Sequence, residues 1–273
     1  MGSDIAQRLP RLLGAWPFSG VRVVDELTDL GDRARVWRVR TNSGDYVAKL
    51  TFDGRGYVEP GLRIASVVDR AGISTGAPVT TVDGALCVKV YRWRGSWTLA
   101  VLELVEGTPF DWSEPELCGE LLGRVHRILL EAGDVTPAGK LLDFYTAEAG
   151  RIGGREGNAL NDALAAVREF DRDIGLSYGV LYGDPAPEIL RKTGSGELAL
   201  IDWGTPSWGP LLHDVVCWHR FGSAAQPHIP DIAERLLAAY RTRVHIGNAE
   251  LAATQLFDRL HRAIQAASIP RSR

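Results

Sequence analysis

The chain has 273 residues, 45% apolar and 24% charged, a balance typical of folded globular proteins and enough length for two lobes or one large domain. Its formal charge of −3 lacks the basic footprint of a nucleic-acid binder, and no run of about 18 apolar residues is present to span a membrane. Cys87, Cys118 and Cys217 are odd in number and widely spaced, which argues against a disulfide framework or a zinc site and for a reduced, cytoplasmic setting. Asp4 and Arg8 interrupt the N-terminus, so no signal peptide is expected. The single Met and the abundance of Arg, Ala and Gly fit a bacterial chain with GC-rich coding.

In chain order, the first hundred residues read mainly as strands. Val21–Glu26, Ala34–Arg40, Tyr46–Phe52, Ala85–Tyr91 and Trp97–Leu104 are short, β-branched or aromatic, and bounded by turn formers. Asn42-Ser43-Gly44 supplies a hairpin turn between the second and third. One helix interrupts them at about Glu59–Ala71, where Leu62, Ile64, Val67 and Val68 recur at near-helical spacing before Gly72. After Glu103–Gly107 the character changes. Ser113 and Glu116 form a candidate capping box for a helix through about Glu131. Helical patterns follow at about 140–152, 157–173, 210–220, 230–244 and 250–267, interrupted by a hairpin at Ile189–Ile201. The expected architecture is α+β with two lobes. A small antiparallel β-sheet lobe with one main helix covers 1–103, a larger mostly helical lobe covers 104–273, and a hinge lies at 103–107.

Charge divides along the same line: 14 basic against 11 acidic residues in 1–103, and 17 against 23 in 104–273. An acidic second half suits a cationic substrate, although solvated surface charge explains it equally well.

Three features carry chemistry. Tyr182-Gly183-Asp184-Pro185 and Leu200-Ile201-Asp202-Trp203-Gly204 place a carboxylate at either end of a loop and hairpin. Phosphoryl transfer uses such a pair, one acid orienting a hydroxyl and one holding Mg²⁺ against nucleotide phosphates; two turn aspartates flanking a hairpin is the plainer alternative. Val47-Ala48-Lys49-Leu50 sets a Lys in an apolar strand, where it either meets phosphate or points to solvent from a sheet edge. Glu59 at the helix start is either its orienting partner or an acid favoured by the helix dipole. Gly31, within Leu30–Ala34 between two strands, occupies the place of a phosphate-covering loop.

In order, Val-Ala-Lys-Leu (47–50), Glu-Leu-Val-Glu-Gly (103–107), Leu-Gly-Arg-Val-His (122–126), Gly-Asp-Pro-Ala-Pro-Glu (183–188) and Ile-Asp-Trp-Gly-Thr-Pro-Ser-Trp-Gly-Pro (201–210), followed by His213-Asp214, resemble the aminoglycoside phosphotransferase and choline-kinase-like family, relatives of the protein kinases. The resemblance runs from about Val21 to Leu260 and implies a protein-kinase-like fold. It implies that Asp184 is the catalytic acid orienting the acceptor hydroxyl, and that Asp202 binds Mg²⁺. It further implies that Lys49 neutralises phosphate with Glu59 holding it, and that the backbone at Glu103, Leu104 and Val105 meets the nucleotide base. Asp214 and His126 are implied to brace the catalytic loop. Trp203 and Trp208 read as core packing.

Two positions depart from the family pattern. Tyr182 stands where a His is usual, and an ungapped count puts Ile189 where the second metal ligand, an Asn, is usual. Shortening the loop by one residue brings Glu188 there instead, a hard oxygen ligand for Mg²⁺. The resulting expectation is an ATP- or GTP-dependent, Mg²⁺-requiring O-phosphotransferase whose partners are the nucleotide and a small-molecule hydroxyl acceptor, aminoglycoside-like or another metabolite. The alternatives are a kinase of Ser or Thr in a modified peptide precursor and a pseudokinase that binds nucleotide or a partner without efficient transfer. No nucleic-acid or membrane partner is expected.

Overall fold

The computed structural model describes residues 3–27, 34–92, 95–133, 135–183 and 189–268. In chain order its elements begin with α1 (Ser3–Leu12), a 3-10 turn, β1 (Arg22–Glu26), β2 (Ala34–Thr41), β3 (Gly44–Phe52), α2 (Val58–Arg70), β4 (Val88–Arg92), β5 (Gly95–Glu103) and β6 (Thr108–Pro109). There follow α3 (Pro115–Ala132), α4 (Leu141–Ile152), α5 (Gly154–Ile174), β7 (Tyr178–Leu181), β8 (Leu190–Lys192), β9 (Leu198–Leu200) and β10 (Ser207–Pro210). The chain closes with α6 (Leu211–Ala225), α7 (Ile232–Arg241), α8 (Asn248–Leu251) and α9 (Thr254–Ser268). The fold is α+β, as the strand-then-helix pattern requires. Among the described residues no helix is long and apolar enough to cross a membrane.

Two compact units result, one of 1–108 with 191–204 and one of 109–190 with 205–273. The expected boundary near 103–107 put the hairpin with the helical part. Instead the hairpin belongs to the N-terminal unit, where the Leu200 N–H donates to the Ser74 carbonyl at 2.9 Å.

The first unit is built on an antiparallel sheet of order β1-β2-β3-β5-β4. Thr41 pairs with Gly44, leaving Asn42-Ser43 as a two-residue turn. Strand alternation sends Trp37, Val39, Ala48, Leu50, Leu99 and Val101 to one face, where Leu9, Leu13 and Trp16 cover them. The Trp16 indole N–H donates to the Val79 carbonyl at 2.8 Å and fixes that cover. Sequence patterning missed α1, whose ten residues carry Pro10 and only a short apolar stripe. The other sheet face packs α2 through Ala100, Val58 and Leu62. Asp53 starts that helix: its Oδ1 accepts the N–H of Tyr57 at 2.7 Å and of Val58 at 3.4 Å, while its Oδ2 accepts the Thr98 hydroxyl.

The second unit is helical around α3, α6, α7 and α9. Gly119 and Gly123 bring α3 close to α7, since a Cβ at Gly119 would stand 2.1 Å from the Leu236 carbonyl oxygen. Ion pairs Arg235–Glu116 and Arg243–Glu120 flank that contact. The capping box expected at Ser113 and Glu116 does not form. Ser113 donates through both its N–H and hydroxyl to Asp111, Glu116 is engaged by Arg235, and Pro115 opens the helix. The short antiparallel pair of β7 and β10, with Leu181 opposite Ser207 and Tyr178 opposite Pro210, was also unforeseen.

Candidate active site

Lys49 lies on β3, flanked in register by Val36 of β2 and Ala100 of β5. It is on a central strand, which excludes the edge-strand alternative. Ala48 and Leu50 point into the core, so alternation turns Lys49 to the face that α2 covers. Its Nζ donates to Asp202 Oδ1 at 2.5 Å. The ammonium-bearing side chain is 17% exposed and the carboxylate side chain 49%.

Asp202 owes its position to the turn after β9. Its φ is +65°, in the left-handed region that a non-glycine residue adopts at a cost. The Gly204 N–H returns to the Asp202 carbonyl at 2.9 Å, and the Trp203 indole N–H donates to the Leu200 carbonyl at 2.8 Å. Trp203 is buried, as expected, and its indole anchors the turn.

The segment after β5 joins the same unit. Gly76 has a φ of +65°, and a Cβ there would meet the Glu103 carbonyl oxygen at 3.1 Å, Val105 Cγ2 at 3.5 Å and Ile201 Cγ2 at 4.0 Å. Glu103, Leu104 and Val105 therefore run beside the residue that precedes Asp202. The Glu103 N–H is already spent on the Ala77 carbonyl, at 2.9 Å.

Glu59 does not fill the role expected of it. It is half-exposed in the first turn of α2 and accepts from Arg63 at 2.6 Å, while the Lys49 ammonium goes to Asp202. An i,i+4 partner on its own helix competes successfully for a carboxylate at this position. Gly31, Asp184 and Glu188 lie outside the described residues.

In the second unit Tyr182 and Gly183, the two residues before Asp184 in sequence, are held by buried partners. Asp214, on α6 and fully buried, accepts the Tyr182 N–H at 2.7 Å, the Gly183 N–H at 3.2 Å and His126 Nε2 at 3.2 Å. His126 Nδ1 is 2.8 Å from the Tyr240 hydroxyl. Both ring nitrogens of His126 are thus engaged, by Asp214 and by the Tyr240 hydroxyl. Burial, with the charges of Asp214 and Glu250, pushes the Tyr240 phenol well up and keeps it protonated. Gly183 has a φ of +88°, and a Cβ there would be 3.0 Å from the Thr205 carbonyl oxygen. Only glycine fits without displacement. The Tyr182 ring is buried edge-on against Trp218, centroids 6.2 Å apart.

Trp208 corrects a further expectation: it is 40% exposed rather than core. Its ring borders a groove of about 290 Å³ with Lys140, Asp143, Arg168, Asp171 and Tyr178. The strand pair that presents it was invisible to sequence patterning, so the groove was too.

The residues present suit Mg²⁺ in one form. Among the described residues no group of three or more His, Cys, Asp or Glu could hold a metal. Asp202 offers one half-exposed hard-oxygen ligand. One or two carboxylates beside substrate phosphates is the ordinary setting for Mg²⁺, so the site fits an ion that arrives with a nucleotide.

The sequence matches the APH phosphotransferase enzyme family over residues 29–254, and the chain belongs to that family. It is a phosphotransferase with a protein-kinase-like fold. No curated protein matches it. Among solved structures, the amicoumacin kinase hAmiN in complex with AMP-PNP, Ca²⁺ and Ami superimposes with a TM-score of 0.77 at 16% identity, covering 100% of this chain and 91% of that one. The microcompartment-associated aminopropanol kinase gives 0.72 at 17% identity, covering 99% and 90%. Choline kinase LicA from Streptococcus pneumoniae gives 0.63 at 12% identity, covering 97% and 90%. At these identities the likeness speaks for the fold.

Proposed function

We propose that the chain transfers the terminal phosphoryl group of ATP or GTP to a hydroxyl of a small molecule, in the presence of Mg²⁺. The observation that carries this reading is the Lys49–Asp202 contact of 2.5 Å, made beside the segment 103–105. A cation for phosphate, an acid for metal and a strand-end backbone for a base are thereby assembled in one unit. The ligands of similar structures, AMP-PNP with Ca²⁺ in the amicoumacin kinase and ADP with spectinomycin in a spectinomycin phosphotransferase, are consistent with it.

In this mechanism Lys49 releases Asp202 and turns its ammonium to the nucleotide phosphates. Asp202 would hold Mg²⁺, with Glu188 the sequence's candidate for a second ligand, and the ion would supply charge neutralisation on the phosphates. Residues 103–105 would present backbone groups to the base, and Gly31 is the sequence's candidate for contact with the phosphates. Asp184 orients the acceptor hydroxyl and takes its proton as the new O–P bond forms. The bond from phosphorus to the β–γ bridging oxygen breaks, and its electron pair leaves with the nucleoside diphosphate. Positioning and charge neutralisation supply most of the acceleration. Residues 1–108 with the 191–204 hairpin would act as the nucleotide-binding part, and 109–190 with 205–273 as the acceptor-binding part. With its three cysteines free, the chain suits the reducing bacterial cytoplasm.

Substitution Asp202→Ala tests the assignment. Turnover of nucleotide with any accepted alcohol should fall by about 10³-fold or more, with the melting temperature almost unchanged. Wild-type turnover in that variant would refute the reading.

A further inference from the structure

The groove beside Trp208 has features that folding does not require. Four elements of the second unit meet there: the start of α4, the end of α5, and strands β7 and β10. A large aromatic side chain stays 40% exposed on its wall. The Trp208 N–H donates to the Gly139 carbonyl at 2.8 Å, and a bridge to Lys140 fixes the backbone on either side. Among the described residues neither the Trp208 indole nor the Lys140 ammonium has a hydrogen-bond or ion-pair partner.

The remaining charges are already engaged. Asp171 accepts the Tyr178 hydroxyl at 2.7 Å and the Leu176 N–H at 2.8 Å. Arg168 reaches Thr146 Oγ1 at 2.9 Å and Asp143 Oδ1 at 3.4 Å. The groove's lining thus balances two acids against two bases, and among the described residues the one charge there without a protein partner is a cation. That is a poor receptor for a polycation. A groove lined by an indole and several polar side chains suits a saturated polyhydroxylated ring, whose C–H edge can meet a negative π face while its hydroxyls bond to the polar groups.

The strand pair that carries the groove also leads to Gly183. Ser207, the neighbour of Trp208, brings its hydroxyl to 3.5 Å from where a Cβ of Gly183 would stand, and Trp208 sits opposite Val180. The three residues from Val180 to Gly183 span at most roughly 10 Å when extended, about two glycosyl repeats.

We propose that this groove is a subsite for an uncharged glycosyl ring of the acceptor, with Trp208 as stacking platform and Lys140 and Asp143 as hydroxyl partners. The acceptor is then a neutral glycoside of two or more rings rather than a polycationic aminoglycoside. This rests on the phosphotransfer reading for its link to the acceptor, but not for the binding itself.

The test is saturation-transfer NMR on the full chain with methyl β-D-glucopyranoside, lactose and kanamycin as probes. Expected are millimolar binding of the two neutral sugars, at least roughly ten-fold weaker binding in Trp208→Ala, several-fold weaker binding in Lys140→Ala, and unchanged ATP binding in both. Lys140 is exposed, so its variant remains informative even if Trp208→Ala misfolds. No neutral-sugar binding, sugar binding indifferent to both substitutions, or kanamycin binding more tightly than lactose would each overturn the proposal. Sugar binding that meets these expectations in a chain that never turns over nucleotide sinks the phosphotransfer reading alone. Transfer to alcohols with no sugar binding sinks the groove alone.

Discussion

Asp214→Asn separates loop positioning from nucleotide binding. The carboxylate is fully buried and accepts from three donors: the N–H groups of Tyr182 and Gly183, and His126 Nε2. An amide keeps one acceptor oxygen and turns an NH₂ toward the rest. If the oxygen stays at the Oδ2 position, Tyr182 and His126 remain bonded and the Gly183 N–H faces a donor; the opposite flip orphans the other two. One or two buried donors are lost at about 1–3 kcal/mol each, and the surviving bonds weaken from charge-assisted to neutral. Removing the desolvation cost of the carboxylate returns part of this, leaving a net loss of about 2–4 kcal/mol. For a chain of this size that lowers Tm by about 5–12 °C. Because Gly183 directly precedes Asp184, loop displacement should also lower kcat about ten- to a hundred-fold, with nucleotide Kd within about two-fold of wild type. Thermal denaturation, isothermal titration with nucleotide and steady-state kinetics read the three quantities. A Tm loss with unchanged kcat would refute the positioning role, and an unchanged Tm would refute the hydrogen-bond arithmetic.

Lys49→Met should change stability by less than about 1 kcal/mol, since half-exposed ion pairs contribute little, yet reduce turnover about 10²-fold or more; melting curves and kinetics on one preparation check both. Gly183→Ala forces a Cβ against the Thr205 carbonyl at positive φ, and should cost about 1–3 kcal/mol and most of the activity, read by denaturant titration and rate. Acid should destabilise the helical unit before its carboxylates titrate. Burial holds His213 below its ordinary value and, with Arg220 nearby, lowers His261 to about 4. Both flank Cys217 Sγ, at 3.6 and 3.1 Å. Below pH about 6.5 the unfolded chain binds protons that the folded chain refuses, so stability is complete above that value and falls toward pH about 4. His261 contributes at most about 3 kcal/mol over that window, and His261→Gln should flatten the slope of Tm against pH.

Local signals carried most of this fold. Strands β1 to β5 and helix α2 were legible because alternation, β-branching and turn residues all act over a few positions. The pair β7 and β10 was not, since strands of four residues joined across 25 intervening positions leave no local pattern. Trp208 was misread for the same reason: an exposed indole and a core indole look alike until the partner strand is known. At the site, Lys49 and Asp202 were legible as residue types in order, and their contact follows from the β3 register and the 200–204 turn. The Glu59 partnership was inferred from order alone, and Arg63, four residues along on the same helix, was the competing signal. The anchoring of Tyr182 and Gly183 by Asp214 spans more than thirty residues of sequence, and only the motif spacing hinted at it.

The Lys49–Asp202 pair makes little sense as a stabilising device. A lysine between two core-directed strand residues loses side-chain entropy and places an ammonium against apolar surface. Asp202 adopts a left-handed φ that glycine would take without strain, at a cost on the order of 1 kcal/mol. The ion pair they form is half open to water on the acid side, where such contacts contribute about 0–1 kcal/mol. For folding alone, a threonine or valine at 49 and a glycine at 202 would serve better. The turn meanwhile spends a buried indole hydrogen bond and a Gly204 N–H to hold Asp202 in place. Local strain held by so much surrounding structure is characteristic of reactive sites rather than of scaffolding. The proposed phosphotransfer gives the reason that stability does not: an ammonium and a carboxylate kept in contact, which on that proposal exchange each other for phosphate and metal.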